Sequence, residues 1–558
     1  MSHEAFLRTI ITQPDDDLLR LVYADWLDEN DDPARAEFIR VQCELAHLPD
    51  DDERRPRLED REHELLSEHE PAWLGSELVG LQEWEFQRGF LHSITIGLDD
   101  LLSWQEIVYD LCTVRDCTLT EQIGSASPED LLDCPFLANL MSLNLSRISI
   151  EQPIYRLLEA KAFPALKRLD FSNNSGLHQG GELLREWPTM RYLKSLSVGG
   201  TNHGVEFYGT LDVRQLANVL NHSQLNELSV FNCRLTSDSL LRLLRSPFMT
   251  HLKSLDISDN PIAGEGWQTF RDANSAMRLN RLDISETPLG SDAINYLLGC
   301  QCLENLTELE INGCATERSA MQALARSAYW HYAKVFRAHS GNLSGKKLES
   351  LCRATGSPNL TLLDLASNGL RPNDIRLLCE APWAGTLTWL ALSGNHLDYQ
   401  SVKLLATSGR FQNLRTLHLA NNSVDAEAEI VLGDNAAISL AKAKSLANLC
   451  ILTLDESFVT DRGVEALINS PNWKLAGLGL GGCELTPRSV HVLVKSPRLT
   501  RLNWLDLSRN TSLFGDGLLP LAESPYLSRL CELDIRGCGA SDRVRQILRE
   551  RLGPRLSD

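Results

Sequence analysis

The sequence predicts an α/β solenoid: a curved parallel β-sheet inside, helices outside, and a small all-α module in front. Three observations carry this. First, one frame, L-x-x-L-x-L-x-x-N/C, recurs at a fixed step of 27 residues: LKSLDISDNPI from Leu252, LNRLDISETPL from Leu279 and LTELEINGCAT from Leu306. Second, the frame starts again at Val114, Leu140, Leu166, Leu193, Leu225, Leu360, Leu387, Leu414, Leu449, Leu475, Leu502 and Leu530, mostly at steps of 26 to 28, with 32 before Leu225 and 35 before Leu449. Third, each frame is followed by an amphipathic stretch, such as DSLLRLLRSP after Cys233 and DRGVEALINSP after Ser457, that reads as a helix.

Each part of the frame has a physical duty. Positions four and six share one face of a short strand because side chains alternate. Position nine (Asn174, Cys233, Asn260, Cys314, Asn368, Asn395, Asn422, Cys483, Asn510, Cys538) turns the chain inward. A buried Asn there must bond backbone groups, since an unpaired buried polar group costs roughly 1–3 kcal/mol. The 54-residue gap from Leu306 to Leu360 is two steps of 27, and Ala333, Phe336, Ala338, Gly341 and Leu343 hold a degenerate copy, read as drift rather than a binding bulge or bend. Leu91, Ile94 and Ile96 give one more unit at the front.

From the frame onward the array, residues 91–540 with about 16–17 units, resembles the leucine-rich repeat. Repeat length and helical outer segments make it similar to the ribonuclease-inhibitor-like class. That resemblance implies a horseshoe stacked from repeats, with protein binding on its concave face.

The front differs. Residues 1–70 hold 21 Asp and Glu against eight Arg and no Lys, a balance of −13 within a chain of −21. Phosphate contacts need Lys and Arg, so nucleic-acid binding by the front segment is not expected. A solvated acidic surface or a basic partner fits better. Residues 1–50 read as three helices: HEAFLRTIIT; a second after Pro14 with Leu18, Leu21, Val22, Asp25 and Trp26 in step; and a third with Phe38, Val41, Gln42 and Leu45 in step. DDDLLRLVYADWLDEN followed by DPARAEFIRVQCEL resembles the bacterial, planctomycete-type repeat-companion domain over residues 3–48. That resemblance implies a module that precedes repeat arrays and brings no established activity. Residues 51–90 read as a charged helical linker and N-terminal cap, and the 70–110 segment, with Trp73, Trp84 and Trp104, is expected to seal the front. Residues 541–558 read as a capping helix with Val544, Ile547, Leu548 and Leu552 inward and arginines facing water.

Frame positions three, five, seven and eight are expected on the inner face. Position five reads Asp170, Ser197, Ser229, Asp256, Asp283, Glu310, Arg337, Asp364, Ala391, His418, Thr453, Gly479, Asp506 and Asp534, a broken carboxylate column that a basic ligand would relieve. L-D-L is also ordinary wording for such repeats, which gives the column a plainly structural alternative. Phe231, Trp389 and Trp504 are the expected aromatic anchors, with Arg281, Arg337, His339 and His418 as polar ones; burial against a flanking loop is the competing account. Insertions at His203–Gln215 and Asp425–Ala441 are expected on one rim.

Several chemistries are set aside. The 14 cysteines form no C-x-x-C pair and no zinc spacing, so they read as structural thiols in a reducing compartment. Gly477, Gly479 and Gly482 spell G-x-G-x-x-G inside a repeat strand, where the dinucleotide motif does not belong. The stretch from Gly341 to Lys347 is one residue short of a phosphate loop, and His63 to Ser67 fails H-E-x-x-H. No apolar run reaches the ~18 residues that span a bilayer, and the N-terminus lacks a signal-peptide pattern.

The expectation is therefore a cytoplasmic, monomeric, non-catalytic scaffold without cofactor or metal. It would bind a protein or peptide, basic in character, and neither nucleic acid nor membrane. The alternative is a regulator of another enzyme, GTPase-activating or nuclease-inhibiting, for which Arg337 is the sole inner-column arginine.

Overall fold

The computed structural model describes residues 2–49, 52, 54–74, 80–103, 113–120, 135–148, 163–174, 188–200, 213–221, 223–262, 264–273, 276–289, 293–354, 359–422, 431–473, 475–527, 529–552 and 556–558. The chain divides into two compact units, Met1–Arg234 with Arg245–Leu252, and Leu235–Leu244 with Lys253–Asp558.

The first unit opens with four helices, α1 (His3–Thr12), α2 (Asp17–Glu29), α3 (Pro33–His47) and α4 (Arg55–Leu74). Asp16 caps α2 by accepting the Leu18 N–H (2.9 Å), and Asp32 caps α3 by accepting that of Arg35 (3.1 Å) with Pro33 at the first turn. The expected face of α3 is the buried one: Phe38, Val41, Gln42 and Leu45 are all inside. That of α2 is corrected. Arg20, Tyr23, Ala24 and Leu27 face the core, whereas Leu18 and Val22 are 66% and 45% exposed. Tyr23 packs against Phe6, Trp26 and Phe90, with ring centroids 5.4 to 5.8 Å apart.

Two antiparallel strands follow, β1 (Leu81–Gln87) and β2 (Phe90–Gly97), joined at Arg88 and Gly89. Both junction residues have positive φ, 52° and 86°, as the tight turn matched to strand twist requires. Buried Gln42 holds this turn: its Nε2 donates to Phe86 O (3.0 Å) and Glu62 Oε1 (2.7 Å), and its Oε1 accepts the Gly89 N–H (2.6 Å). Trp73 stacks on Phe38 at 4.7 Å, and Trp84 Nε1 donates to Glu70 (2.9 Å), so these two tie α4 to its neighbours. Trp104 lies outside the described residues. Strands β3 (Asp116–Thr120), β4 (Ser142–Asn144), β5 (Arg168–Asp170), β6 (Ser195–Ser197) and β7 (Glu227–Ser229) then add in parallel to β2.

The second unit runs from β8 (Ser254–Asp256) through β9 (Arg281–Asp283), β10 (Glu308–Glu310), β11 (Val335–Arg337), β12 (Leu362–Asp364), β13 (Trp389–Ala391), β14 (Thr416–His418), β15 (Ile451–Thr453), β16 (Gly477–Gly479), β17 (Trp504–Asp506) and β18 (Glu532–Asp534) to β19 (Leu556–Ser557). All pair in parallel with their neighbours, and frame position four stays in register from Leu255 to Leu533. Positions four and six are buried, as at Leu390 and Leu392. Helices follow the strands, including the expected Ser237–Arg245 and Asp461–Ile468. The degenerate copy is regular: Phe336 and Ala338 are fully buried and β11 keeps register on both sides. No break in register interrupts it.

The ladder at position nine works as a chain of backbone bonds. Asn395 Nδ2 donates to Leu365 O (3.0 Å) and Leu392 O (2.9 Å), while its Oδ1 accepts the N–H groups of Asn368 (2.9 Å) and Leu370 (3.0 Å). Cysteines take the donor's place, as Cys483 Sγ on Leu454 O (3.2 Å) and Cys538 Sγ on Leu507 O (2.9 Å). Position eight is left-handed, from Asn173 (φ 57°) and Asp259 (52°) to Ser367 (55°), Glu456 (52°) and Arg509 (58°). The frame places position eight on the inner face, yet its first duty is to reverse the chain. Part of each long insertion is the repeat's own helix, Val213–Leu220 and Gly433–Ala441; residues 203–212 and 425–430 lie outside the described set.

The C-terminal helix, Asp542–Leu552, buries Val544, Leu548 and Leu552 and leaves Ile547 partly exposed. Its arginines do not all face water. Arg551 turns inward and donates to Leu521 O (2.6 Å) and to Leu527 O. Strand β19 adds an edge that the sequence reading lacked.

Candidate binding surface on the repeat strands

Two rows of side chains cross the strands on the face opposite the buried leucines. The row at position three runs Val335, Leu362, Trp389, Thr416, Ile451, Gly477 and Trp504, each the register partner of the next across β11 to β17. All are partly exposed except Gly477. From Trp389 onward, large and small residues alternate strand by strand. The row is bounded by carboxylates, Glu308 on β10 and Glu532 on β18.

This row gathers two of the three expected anchors. Trp389 leans on His418 with ring centroids 5.1 Å apart, and His418 Nδ1 lies 3.1 Å from Thr453 Oγ1. Burial pushes the His418 imidazole below its ordinary range, with Asp364 opposing. Trp504 lies over Gly477, where a Cβ would sit 3.0 Å from its ring. Phe231 belongs to the first unit and packs over Gly199, whose Cβ would fall 2.5 Å from the ring. All three aromatics are partly exposed. Val335, Leu362 and Ile451 complete the row and escaped sequence reasoning, although the signal was there in frame position three.

The row at position five is less free than its composition suggests. The carboxylates of Asp170, Asp256, Asp283, Asp364, Asp506 and Asp534 each accept the N–H two residues on, at 2.7 to 3.0 Å. Glu310 is buried and bridges Arg281 (2.8 Å) and Arg337 (3.0 Å). Like-charge crowding persists at two places. Burial first, then Asp256, raises Asp283 to about 6, against the bonds from Ser285. Burial, then the neighbouring Asp506 charge, raises Asp455 to about 6, although its carboxylate accepts the Gly481 N–H at 2.7 Å. Asp455 is a position-seven residue that the sequence reading did not single out. His339 Nδ1 lies 3.3 Å from Ser340 Oγ on the same side.

Among the described residues no group of three or more His, Cys, Asp or Glu is placed to hold a metal ion. The described cysteines are free thiols; burial pushes that of Cys483 up to about 11, which disfavours the reactive thiolate. The G-x-G-x-x-G glycines lie in and just after β16, with buried Leu478 between the first two. No described helix is long and apolar enough to cross a membrane.

Among known proteins, the family model described as Leucine Rich repeat matches residues 248–270. No curated protein matches the chain. Among solved structures the chain is similar to the Rad7 and Elc1 complex of yeast (18% identity, 66% of this chain and 83% of that one, TM-score 0.42). It is similar also to the mouse RP105/MD-1 complex (15%, 83% and 89%, TM-score 0.38) and to the TLR13–ssRNA13 complex (17%, 76% and 63%, TM-score 0.38). On the frame, the parallel register of its strands and the family match, the repeats of this chain are leucine-rich repeats.

Proposed function

We propose that this protein is a non-catalytic scaffold whose repeat strands bind an extended protein or peptide segment. The single observation that carries the reading is the apolar row at position three, in register over seven strands and bounded by Glu308 and Glu532. Trp389 and Trp504 stay partly exposed there despite packing on His418 and over Gly477, and aromatic anchors dominate binding energetics. Carboxylates at both ends and in the adjoining row favour a ligand with basic residues flanking apolar ones. Free buried thiols suit a reducing cytoplasm. The front helices serve as a repeat-companion module, and the working form is a monomer.

Regulation of another enzyme by a supplied arginine is disfavoured, because Arg337 is committed to Glu310.

Peptide-display selection on the full chain tests the proposal. Selected peptides should combine apolar residues with Lys or Arg, and Trp389→Glu with Trp504→Glu should weaken them at least tenfold. Peptides that bind the double variant as well as wild type would remove the row from consideration.

A further inference from the structure

We propose that the outer face of α2 is a docking surface for a basic amphipathic helix supplied by another protein. Leu18 and Val22 stand one helical turn apart there, both exposed, and half-buried Leu21 and Trp26 border them. On helical spacing these side chains and Asp25 form one stripe, opposite the core-facing Arg20, Tyr23, Ala24 and Leu27. Seven large apolar side chains are exposed among the described residues, and Leu18 with Val22 is the one pair that shares a helix. The others are the scattered single residues that a soluble surface ordinarily carries, whereas these two make a patch. A helix apolar on two sides is ordinarily covered on both. Here α1, α3 and Phe90 cover one.

Charge names the occupant. α2 and its lead-in hold six carboxylates, Asp15, Asp16, Asp17, Asp25, Asp28 and Glu29, and one cation, Arg20, which is buried and faces inward. Among the elements packed on α2, Arg40 of α3 donates to Asp25 (2.6 Å) and Asp28 (2.7 Å). Arg88 of the hairpin lies 3.4 Å from Asp17, and His47 lies 2.7 Å from the other Asp17 oxygen. The remaining charges of α1 and α3 balance in number: Glu4 against Arg8, Asp32 against Arg35, and Glu37 and Glu44 against the arginines Arg61 and Arg54 that pair with them. His3 Nδ1 lies 2.8 Å from Tyr23 Oη. The six carboxylates therefore face three arginines, and five cations even with both histidines charged. The excess stays negative either way.

A second copy would set its own carboxylates against these, and an anionic lipid surface would be repelled as well. A basic helix matches both the stripe and its border. Leu18 to Trp26 spans about 12 Å at 1.5 Å per residue, room for two turns of a partner with apolar residues at i, i+4 and i+7 and Lys or Arg beside them. The proposal does not rest on the reading of the strand row.

Selection from a displayed library of helix-forming peptides against the full chain tests it, with the enriched peptides then titrated by fluorescence anisotropy. Enriched peptides should carry that basic pattern, and a proline placed at their centre should abolish binding. Leu18→Ala with Val22→Ala should weaken them at least tenfold; both sites are exposed, so neither change leaves a cavity. Glu29→Lys should weaken them several-fold, more at low salt than at high. Trp389→Glu with Trp504→Glu should leave them unchanged, which separates this face from the strand row. A selection that enriches no basic helix, or peptides that tolerate the double alanine variant, overturns the proposal. So does self-association, or binding to phosphatidylserine vesicles, that the same double variant abolishes.

Discussion

Asp283 shows what a repeated residue costs in a stack. Its row neighbours are Asp256 and Glu310, and its carboxyl sits at about 6 against an ordinary 3.8. The folded state therefore holds this proton more tightly than the unfolded chain does. The stability it lends is complete below about pH 4 and is lost as pH rises through about 6. Asp283→Asn keeps an acceptor for the Ser285 N–H and removes the titration. The melting temperature of the variant relative to wild type should rise between about pH 4 and 7 and level off above; melts across that range check it, and a flat difference would count against the crowding. The acidic column itself was legible in the sequence. Its division of labour was not, because whether a carboxylate serves a ligand or a backbone N–H depends on the turn that positions seven to nine build. Nor could Arg337 be seen as spent, since Glu310 reaches it only from the neighbouring strand.

At the scale of elements, the hairpin of β1 and β2 is the joint most sensitive to a single atom. Gly89 has φ 86°, and a Cβ there would come within 2.2 Å of Ile39 Cγ1 and 2.8 Å of its Cα. Gly89→Ala adds backbone strain of about 1–3 kcal/mol to a clash with helix backbone. It should speed proteolysis and amide exchange of α3 while leaving β13 to β17 protected, which hydrogen-exchange mass spectrometry resolves. The face of α3 was readable because its apolar residues fall on one stripe. α2 offers two rival stripes, Leu18–Val22 and Tyr23–Ala24–Leu27, and periodicity cannot choose between them. Packing partners from α1 and β2 decide it, through Phe6, Ile10 and Phe90. Arg551 misled for a related reason: an arginine in a last helical turn ordinarily meets solvent, and here two backbone carbonyls from the preceding unit claim it.

Across the whole molecule, each described repeat borrows its core from the next, so stability in a stack is close to a sum of units and nearest-neighbour contacts. Leu390→Ala empties a fully buried site and should cost about 2–5 kcal/mol. Exchange should quicken in β12 and β14 and leave β18 near wild type; uniform loosening would contradict nearest-neighbour coupling. The leucine frame made nearly all of this array legible, the degenerate copy included, because burial at three positions per unit tolerates little else. What it hid is the alternation of bulk from Trp389 to Trp504 at right angles to the chain. Successive large residues there stand two strands apart, about 9.6 Å on ordinary strand spacing. One turn of a polyproline II helix advances about 9.3 Å over three residues. A ligand in that conformation would present every third side chain to the same kind of gap, so the proposed surface would read a three-residue rhythm in its partner although no three of its own row residues are near in sequence.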